Sequence, residues 1–488
     1  ATDCKNLIGE EKASCIARTK AKLDFDFGGS RIATTIDIEM QKAATLTANT
    51  SADEITAQMQ KAGLLPEGVT VHVAVAAAGD KGLLAYATDR FNPISNADAG
   101  NVNEPGSTIK TFILATALKH GWTLNMTVFD GPYTGRMRSP KNFTLKYSMR
   151  NQTLLESTAK SCNMCFHRLI QTAGTPGKTV EQLTLEQRLA NIKLVVDDFC
   201  KVGLCKRGRP KLDPNLSLGS GIDVRLDELV MAYRTFMSGF KDGQGGVFKG
   251  NFVWEYAEAG GNGSVPLPAV APAQIFSTPN SLDVLTALVE VGDHGTARGA
   301  HAEYKGQIGG KTGSTRRALT VVLVTNQYII GMKVYFAYPV GLMAQVARER
   351  VDKGAVTEKA NGKADRKELT SALHSRQAQA ELVRVEKSKD PNDKLMHAWV
   401  AKRFHKDPTQ LTAYDKLILL DKYWKAAHLA SGTYLVHPAA KFAASVTKKP
   451  EEQFVKAAKA QPDATTADDV GEDPEEPEEP ETPTKPTA

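Results

Sequence analysis

Hydrophobic periodicity divides the chain into segments. Ile32-Ala33-Thr34-Thr35-Ile36-Asp37 is a short β-branched run, and Ile38 to Ala48 follows with helical spacing. Val69 to Ala78 and Leu83 to Ala87 read as strands joined by the turn residues Gly79-Asp80-Lys81-Gly82, a predicted hairpin. Behind the Pro105-Gly106 break, Ile109, Ile113 and Ala117, with Phe112 beside them, recur at helical spacing as far as Gly121. Helices are predicted over Leu154 to Ala173 and Leu226 to Phe240, the second with a core stripe of Leu229, Val230, Tyr233 and Phe236. A loop-rich stretch from Lys241 to Pro279 precedes a helix near Leu282 to Val291. Three strand-like runs close the pattern: Tyr304 to Thr312 through Gly309-Gly310, then Leu319 to Val324 and Tyr328 to Phe336, split by Asn326-Gln327.

Strands at both ends with helices between them predict an α+β unit whose sheet is assembled from distant segments. After Pro339 the chain turns rich in Ala, Lys, Glu and Arg with helical period, broken at Asp390-Pro391 and Asp407-Pro408. The expected organisation is an N-terminal segment over 1–66, a principal domain over 67–341, a C-terminal helical appendage over 342–461 and a disordered, acidic, Pro-rich tail over 462–488.

With 41% hydrophobic and 24% charged residues, the composition is that of an ordinary globular protein, and no apolar run approaches the roughly 18 residues of a membrane span. The formal net charge of +6 hides an asymmetry: the tail carries ten acidic residues and one lysine, leaving +15 on the rest. Such a body favours anionic partners such as cell-wall polymers, lipid head groups or nucleic acid, or is simply a solvated basic surface. The six cysteines fall in three close pairs, Cys4 with Cys15, Cys162 with Cys165 and Cys200 with Cys205. None combines with histidines at zinc-finger spacing and His-Glu-x-x-His is absent, so no metal site is expected. Pairing by proximity would suit an oxidising compartment, with a strained bridge expected for Cys162 and Cys165 on one helical turn; free buried cysteines are the alternative.

Candidate chemistry centres on Ser107 and Lys110. Residues i and i+3 share a helix face, so the Lys110 ammonium can reach the Ser107 hydroxyl near a helix N-terminus that favours developing negative charge. Serine needs a base to become a nucleophile, and a partly desolvated lysine has its pKa lowered enough to serve. Ser-x-x-Lys alone discriminates poorly, since it also starts at Ser157, Ser238 and Ser445.

Two further motifs single out the first copy. Ser161-Cys162-Asn163 is the chain's one Ser-x-Asn and Lys311-Thr312-Gly313 its one Lys-Thr-Gly, and they follow Ser107 in that order. Together the three resemble the penicillin-recognising serine acyl transferases. The likeness extends through Thr34-Thr35-Ile36-Asp37 with Gln41, Gly82-Leu83-Leu84-Ala85, Phe91-Asn92-Pro93, Leu216-Ser217-Leu218-Gly219-Ser220-Gly221, Glu228-Leu229, Ala232-Tyr233 and Gly295-Thr296-Ala297-Arg298. Over about residues 31–339 the chain is similar to a penicillin-binding protein transpeptidase domain, in detail to the transpeptidase half of bifunctional enzymes.

The resemblance implies an antiparallel sheet of about five strands flanked by helices, with a helical lobe. It implies Ser107 as nucleophile on the penultimate D-alanine carbonyl of a peptidoglycan stem peptide and Lys110 as proton acceptor. Ser161 would relay a proton to the leaving amine, and Asn163 would hold Lys110 and the substrate backbone. Lys311 would attract the substrate carboxylate, with Thr312, Gly313 and Ser314 lining its site and the N–H groups of Ser107 and Ser314 forming the oxyanion hole.

The expected function is a β-lactam-inhibited D,D-transpeptidase acting through an acyl-serine. A D,D-carboxypeptidase, a β-lactamase-like hydrolase and a non-catalytic penicillin-binding scaffold are the alternatives. No cofactor, metal or nucleic acid is implied. Expected partners are stem peptides, β-lactams and cell-wall division or elongation proteins, at the outer face of the inner membrane through an anchor outside this sequence.

Overall fold

The computed structural model describes residues 31–61, 70–80, 82–90, 102, 104–133, 139–142, 146–237, 247–248, 253–257, 264–266, 273–315, 318–337 and 435–455. The helical pattern expected over 342–434, the acidic tail and the pair Cys4 and Cys15 lie outside these residues.

The principal elements are α1 (Ile38–Lys61), β1 (Thr70–Gly79), β2 (Gly82–Thr88), α2 (Lys110–Lys119), α3 (Leu154–Ala159), α4 (Asn163–Thr172), α5 (Leu185–Lys201) and α6 (Leu226–Tyr233). They continue with α7 (Thr278–Asp293), β3 (Gly309–Ser314), β4 (Ala318–Val324), β5 (Ile329–Ala337) and α8 (Val436–Val446). The five strands form one antiparallel sheet in the order β3-β4-β5-β1-β2. This is the α+β architecture expected, closed by pairing Ile329 with Ala78 and Ala337 with Thr70.

Both faces of the sheet are covered, which is why its strands read as continuous apolar runs. Ala74, Ala76, Ala78 and Val322 join a core built with α2, α4, α5, α6 and α7. Val73, Val75, Val321, Leu323, Met332 and Val334 point the other way, into a second core made with α1 and α8. Helix α1 extends beyond the predicted Ala48 because Ala52, Ile55 and Met59 continue the buried stripe of Met40, Ala44 and Ala48 past the polar Asn49-Thr50-Ser51. The C-terminal stretch is fastened as well: Gln307 Oε1 accepts the Phe454 and Val455 N–H groups at 3.0 and 2.8 Å, and its Nε2 donates to Val455 O at 3.0 Å.

Three local expectations change. The single helix over Leu154 to Ala173 is two, because Ser161 adopts φ 52°, a left-handed conformation that ends α3, and Cys162 caps α4. Helix α6 stops at Tyr233 and continues as a 3-10 turn to Phe236. The loop-rich stretch carries short strands: Val253–Ala257 pairs with Arg31–Thr34 and with Ser264–Pro266, and Val247–Phe248 pairs with Ala273–Gln274. Disulfides join Cys162 to Cys165 and Cys200 to Cys205. Cys162 lies outside the helix, as its cap with φ −55° and ψ 115°, so the first pair does not span one turn of continuous helix.

Candidate active site

Ser107 sits in a 3-10 turn, Gly106–Ile109, that runs straight into α2. In such a turn residues three apart eclipse, which sets Lys110 directly below Ser107. Gly106 has φ +60°, and a Cβ there would lie 2.7 Å from Ser314 N, so the turn of Ser107 and the end of β3 touch backbone to backbone. Gly219, at φ +82°, closes the other side: its Cβ would lie 2.5 Å from Gly106 N. From beneath, Tyr233 donates its hydroxyl to Thr108 O at 2.6 Å.

Lys110 is fully buried, and its Nζ donates to Asn163 Oδ1 at 2.6 Å and to Ser161 O at 2.8 Å, with Ser161 Oγ at 3.4 Å and the Phe166 ring 5.4 Å away. Lys311, equally buried on β3, donates to the same Ser161 Oγ at 2.8 Å and to Thr312 O at 3.1 Å. One hydroxyl thus lies between two amines. Burial pushes Lys110 well below the ordinary lysine value, and Lys311 pushes it the same way by charge repulsion. Burial alone takes Lys311 down to about 7. Among the described residues Lys110 makes no hydrogen bond to Ser107; its nitrogen is tethered to the Ser161–Asn163 corner.

That corner is anchored in turn. Asn142 Oδ1 accepts the Asn163 and Met164 N–H groups at 2.8 and 3.3 Å, and Asn163 Nδ2 donates to Lys141 O at 2.8 Å. The buried Asp130 carboxylate accepts from Asn142 Nδ2 at 2.7 Å, Ser148 N at 2.8 Å and Gln152 Nε2 at 3.1 Å. On the facing side Thr312 Oγ1 donates to Thr296 Oγ1 at 2.7 Å.

The residues enclose a cleft of about 550 Å³ whose wall includes Ser107, Ser161, Asn163, Thr312 and Ser314, with Lys146 and His294 among the other lining groups. Every site residue expected from the sequence lies at or directly behind this cleft. Asp130, Asn142 and Gln152 were not expected, because isolated polar residues in loops and a three-residue strand give no periodic or motif signal. Tyr233 was expected as core, which it is, but its hydroxyl also braces the turn of Ser107.

Residues 70–332 match the family model described as penicillin binding protein transpeptidase domain. The chain belongs to that family. Among solved structures, PonA1 from Mycobacterium tuberculosis in complex with penicillin V is similar at 19% identity, with 67% of this chain and 82% of that chain covered and a TM-score of 0.48. Penicillin-binding protein 1A from Haemophilus influenzae is similar at 15% identity, covering 67% and 69% with a TM-score of 0.47. The transpeptidase domain of penicillin-binding protein 3 from Burkholderia pseudomallei gives 16% identity, 62% and 87% coverage and a TM-score of 0.42. No curated protein matches the chain. No helix among the described residues is long and apolar enough to cross a membrane.

Proposed function

We propose that this penicillin-binding transpeptidase cross-links peptidoglycan stem peptides through an acyl-enzyme on Ser107. The observation that carries the reading is a buried lysine, Lys110, one 3-10 turn from a cleft-lining serine and held by Asn163 and Ser161, in surroundings that favour its neutral form.

Neutral Lys110 accepts the Ser107 hydroxyl proton as Oγ attacks the penultimate D-alanine carbonyl. The oxyanion forms where the turn of Ser107 meets Ser314, and the two backbone N–H groups stabilise it. Ser161, between the two amines, passes the proton from Lys110 to the departing D-alanine nitrogen. Lys311, Thr312 and Ser314 bind the terminal carboxylate. The acyl-serine is then taken by the amine of a second stem peptide, and the same relay runs in reverse. A β-lactam enters at the first step and stays, since its acyl group blocks the acceptor.

Two disulfides fit an extracytoplasmic site of action, the compartment in which this family works, at the outer face of the inner membrane. The basic body suits anionic cell-wall polymers, and cell-wall division or elongation proteins are the partner class. The testing experiment compares the native chain and Ser107→Ala after exposure to a fluorescent penicillin, read by intact mass and gel fluorescence. A stable adduct on the native chain alone is the expected result. Rapid turnover of the drug without an adduct would replace the transpeptidase with a hydrolase, and neither adduct nor turnover would remove the acyl-transfer reading.

A further inference from the structure

The middle residue of the Ser161-Cys162-Asn163 corner is bonded to Cys165, and nothing in acyl transfer uses that bond. Three observations set this disulfide apart from Cys200–Cys205. Cys162 is part of the cleft wall and stands between Ser161 and Asn163, so the bond, itself buried, lies at the corner that holds both amines. Its sulfur accepts the Cys165 N–H at 3.0 Å at the start of the ten-residue helix α4, an arrangement that stabilises a Cys162 thiolate and makes it a good leaving group. The buried Asp130 carboxylate, which anchors Asn142 beneath the corner, and both sulfurs all lie within 4.8 Å of one another, so the bond is packed against the network that positions Asn163.

We propose that Cys162–Cys165 is a reversible thiol–disulfide exchange site whose substrate is a dithiol reductant, and that closing it holds Ser161 and Asn163 in the geometry acyl transfer needs. The second half of this proposal rests on the acyl-transferase reading above.

In the exchange, a thiolate of the dithiol attacks Cys162 Sγ, the disulfide breaks, and Cys165 leaves as thiolate and takes up a proton. The dithiol's second thiolate then attacks its own sulfur in the mixed disulfide and expels Cys162. Two electrons and two protons pass to the pair, and the reductant departs as a disulfide. With the bond open, Cys162, next to the left-handed Ser161, loses its covalent tie to the first turn of α4. Lys110 and Lys311 both take their positions from this corner, at 2.6 Å to Asn163 and 2.8 Å to Ser161 Oγ. Small displacements there are expected to slow acylation about tenfold or more.

The test uses the full chain equilibrated with graded dithiothreitol under conditions in which circular dichroism shows it folded. Alkylation and peptide mass report each cysteine pair, and fluorescent penicillin reports acylation. Opening of Cys162–Cys165 is expected to coincide with the fall in acylation, and reoxidation to restore it. Cys165→Ala is expected to sit at the slow rate with or without reductant, whereas the double variant Cys200→Ala with Cys205→Ala keeps the full response. An unchanged acylation rate on a chain shown to be open at Cys162–Cys165 overturns the control of acylation, as does a response that persists in Cys165→Ala. A pair that stays closed throughout, in the folded native chain, overturns the exchange site itself. If the oxidised chain forms no adduct, the acyl-transferase reading fails separately. The exchange site is then judged by alkylation alone, and a pair that stays closed in the folded chain overturns it.

Discussion

Lys110 Nζ donates to Asn163 Oδ1 at 2.6 Å, so the proposed base is held in place by a residue on a different helix. Asn163→Asp changes little in shape but places a carboxylate against the amine. An opposite charge favours the ammonium, so the Lys110 pKa rises and the acidic limb of the acylation profile moves to higher pH. At neutral pH the second-order rate of penicillin acylation is expected to fall about 100-fold, in the range of losing a general base. A profile superimposable on that of the native chain would separate Lys110 from proton acceptance.

Lys333 tests the energetic cost of a buried amine away from the cleft. Its Nζ donates to Val224 O at 3.4 Å, and burial, opposed by Asp227, Glu228 and Asp223, takes it down to about 7. A lysine lowered on folding binds fewer protons in the native than in the unfolded state between pH 7 and the unfolded value near 10.5. Stability is therefore lost as pH falls through that window and is already at its minimum below it. Lys333→Met removes this dependence: the slope of unfolding free energy against pH above neutrality is expected to drop by about 1.4 kcal/mol per unit, measured by denaturant titration. Equal slopes in both chains would contradict it.

Gly219 has no functional side chain, yet its substitution reaches the turn of Ser107. At φ +82°, alanine costs about 1–2 kcal/mol in backbone strain, and its Cβ collides with Gly106 N. Gly219→Ala should lower the melting temperature by several degrees and slow acylation at least tenfold, whereas Gly221→Ala, with open space around it, brings backbone strain alone. Equal acylation rates in the two variants would show that the close approach at Gly219 has no influence on Ser107.

The C-terminal stretch is structural. Leu435, Val436, Ala440 and Phe442 are buried against the second face of the sheet. A chain ending at residue 455 is expected to remain folded and to bind penicillin, and one ending at 434 to aggregate or elute as an expanded species in size-exclusion chromatography. Normal labelling of the shorter chain would make α8 dispensable.

Much of this was legible in the sequence because the signals were local. The strands of the sheet showed as apolar runs, and the three motifs named Ser107, Ser161 and Lys311 in advance. What escaped notice depends on long-range contact. The helix break at Ser161 leaves no sequence trace, since a serine at φ 52° is retained by its surroundings and not by its own preference. Asp130 acquires meaning only when Asn142, Gln152 and the disulfide converge on it. Helix α8 looked like more of the Ala- and Lys-rich stretch before it, and only the uncovered face of a sheet some hundred residues earlier distinguishes it.

The strand order also fixes a sequence of events in time. β1 has its partner β5 at the far end of the domain, and α8 comes later still. A nascent chain that has emerged only as far as α7 possesses the serine, its lysine and the Ser161 corner, but neither Lys311 nor the strands that seat them. The proposed catalytic centre is therefore among the last parts of the molecule to exist, and non-local pairing of this kind is slow. Penicillin reactivity should appear late in refolding, after most helical signal has returned, so that the drug reports completion of the fold.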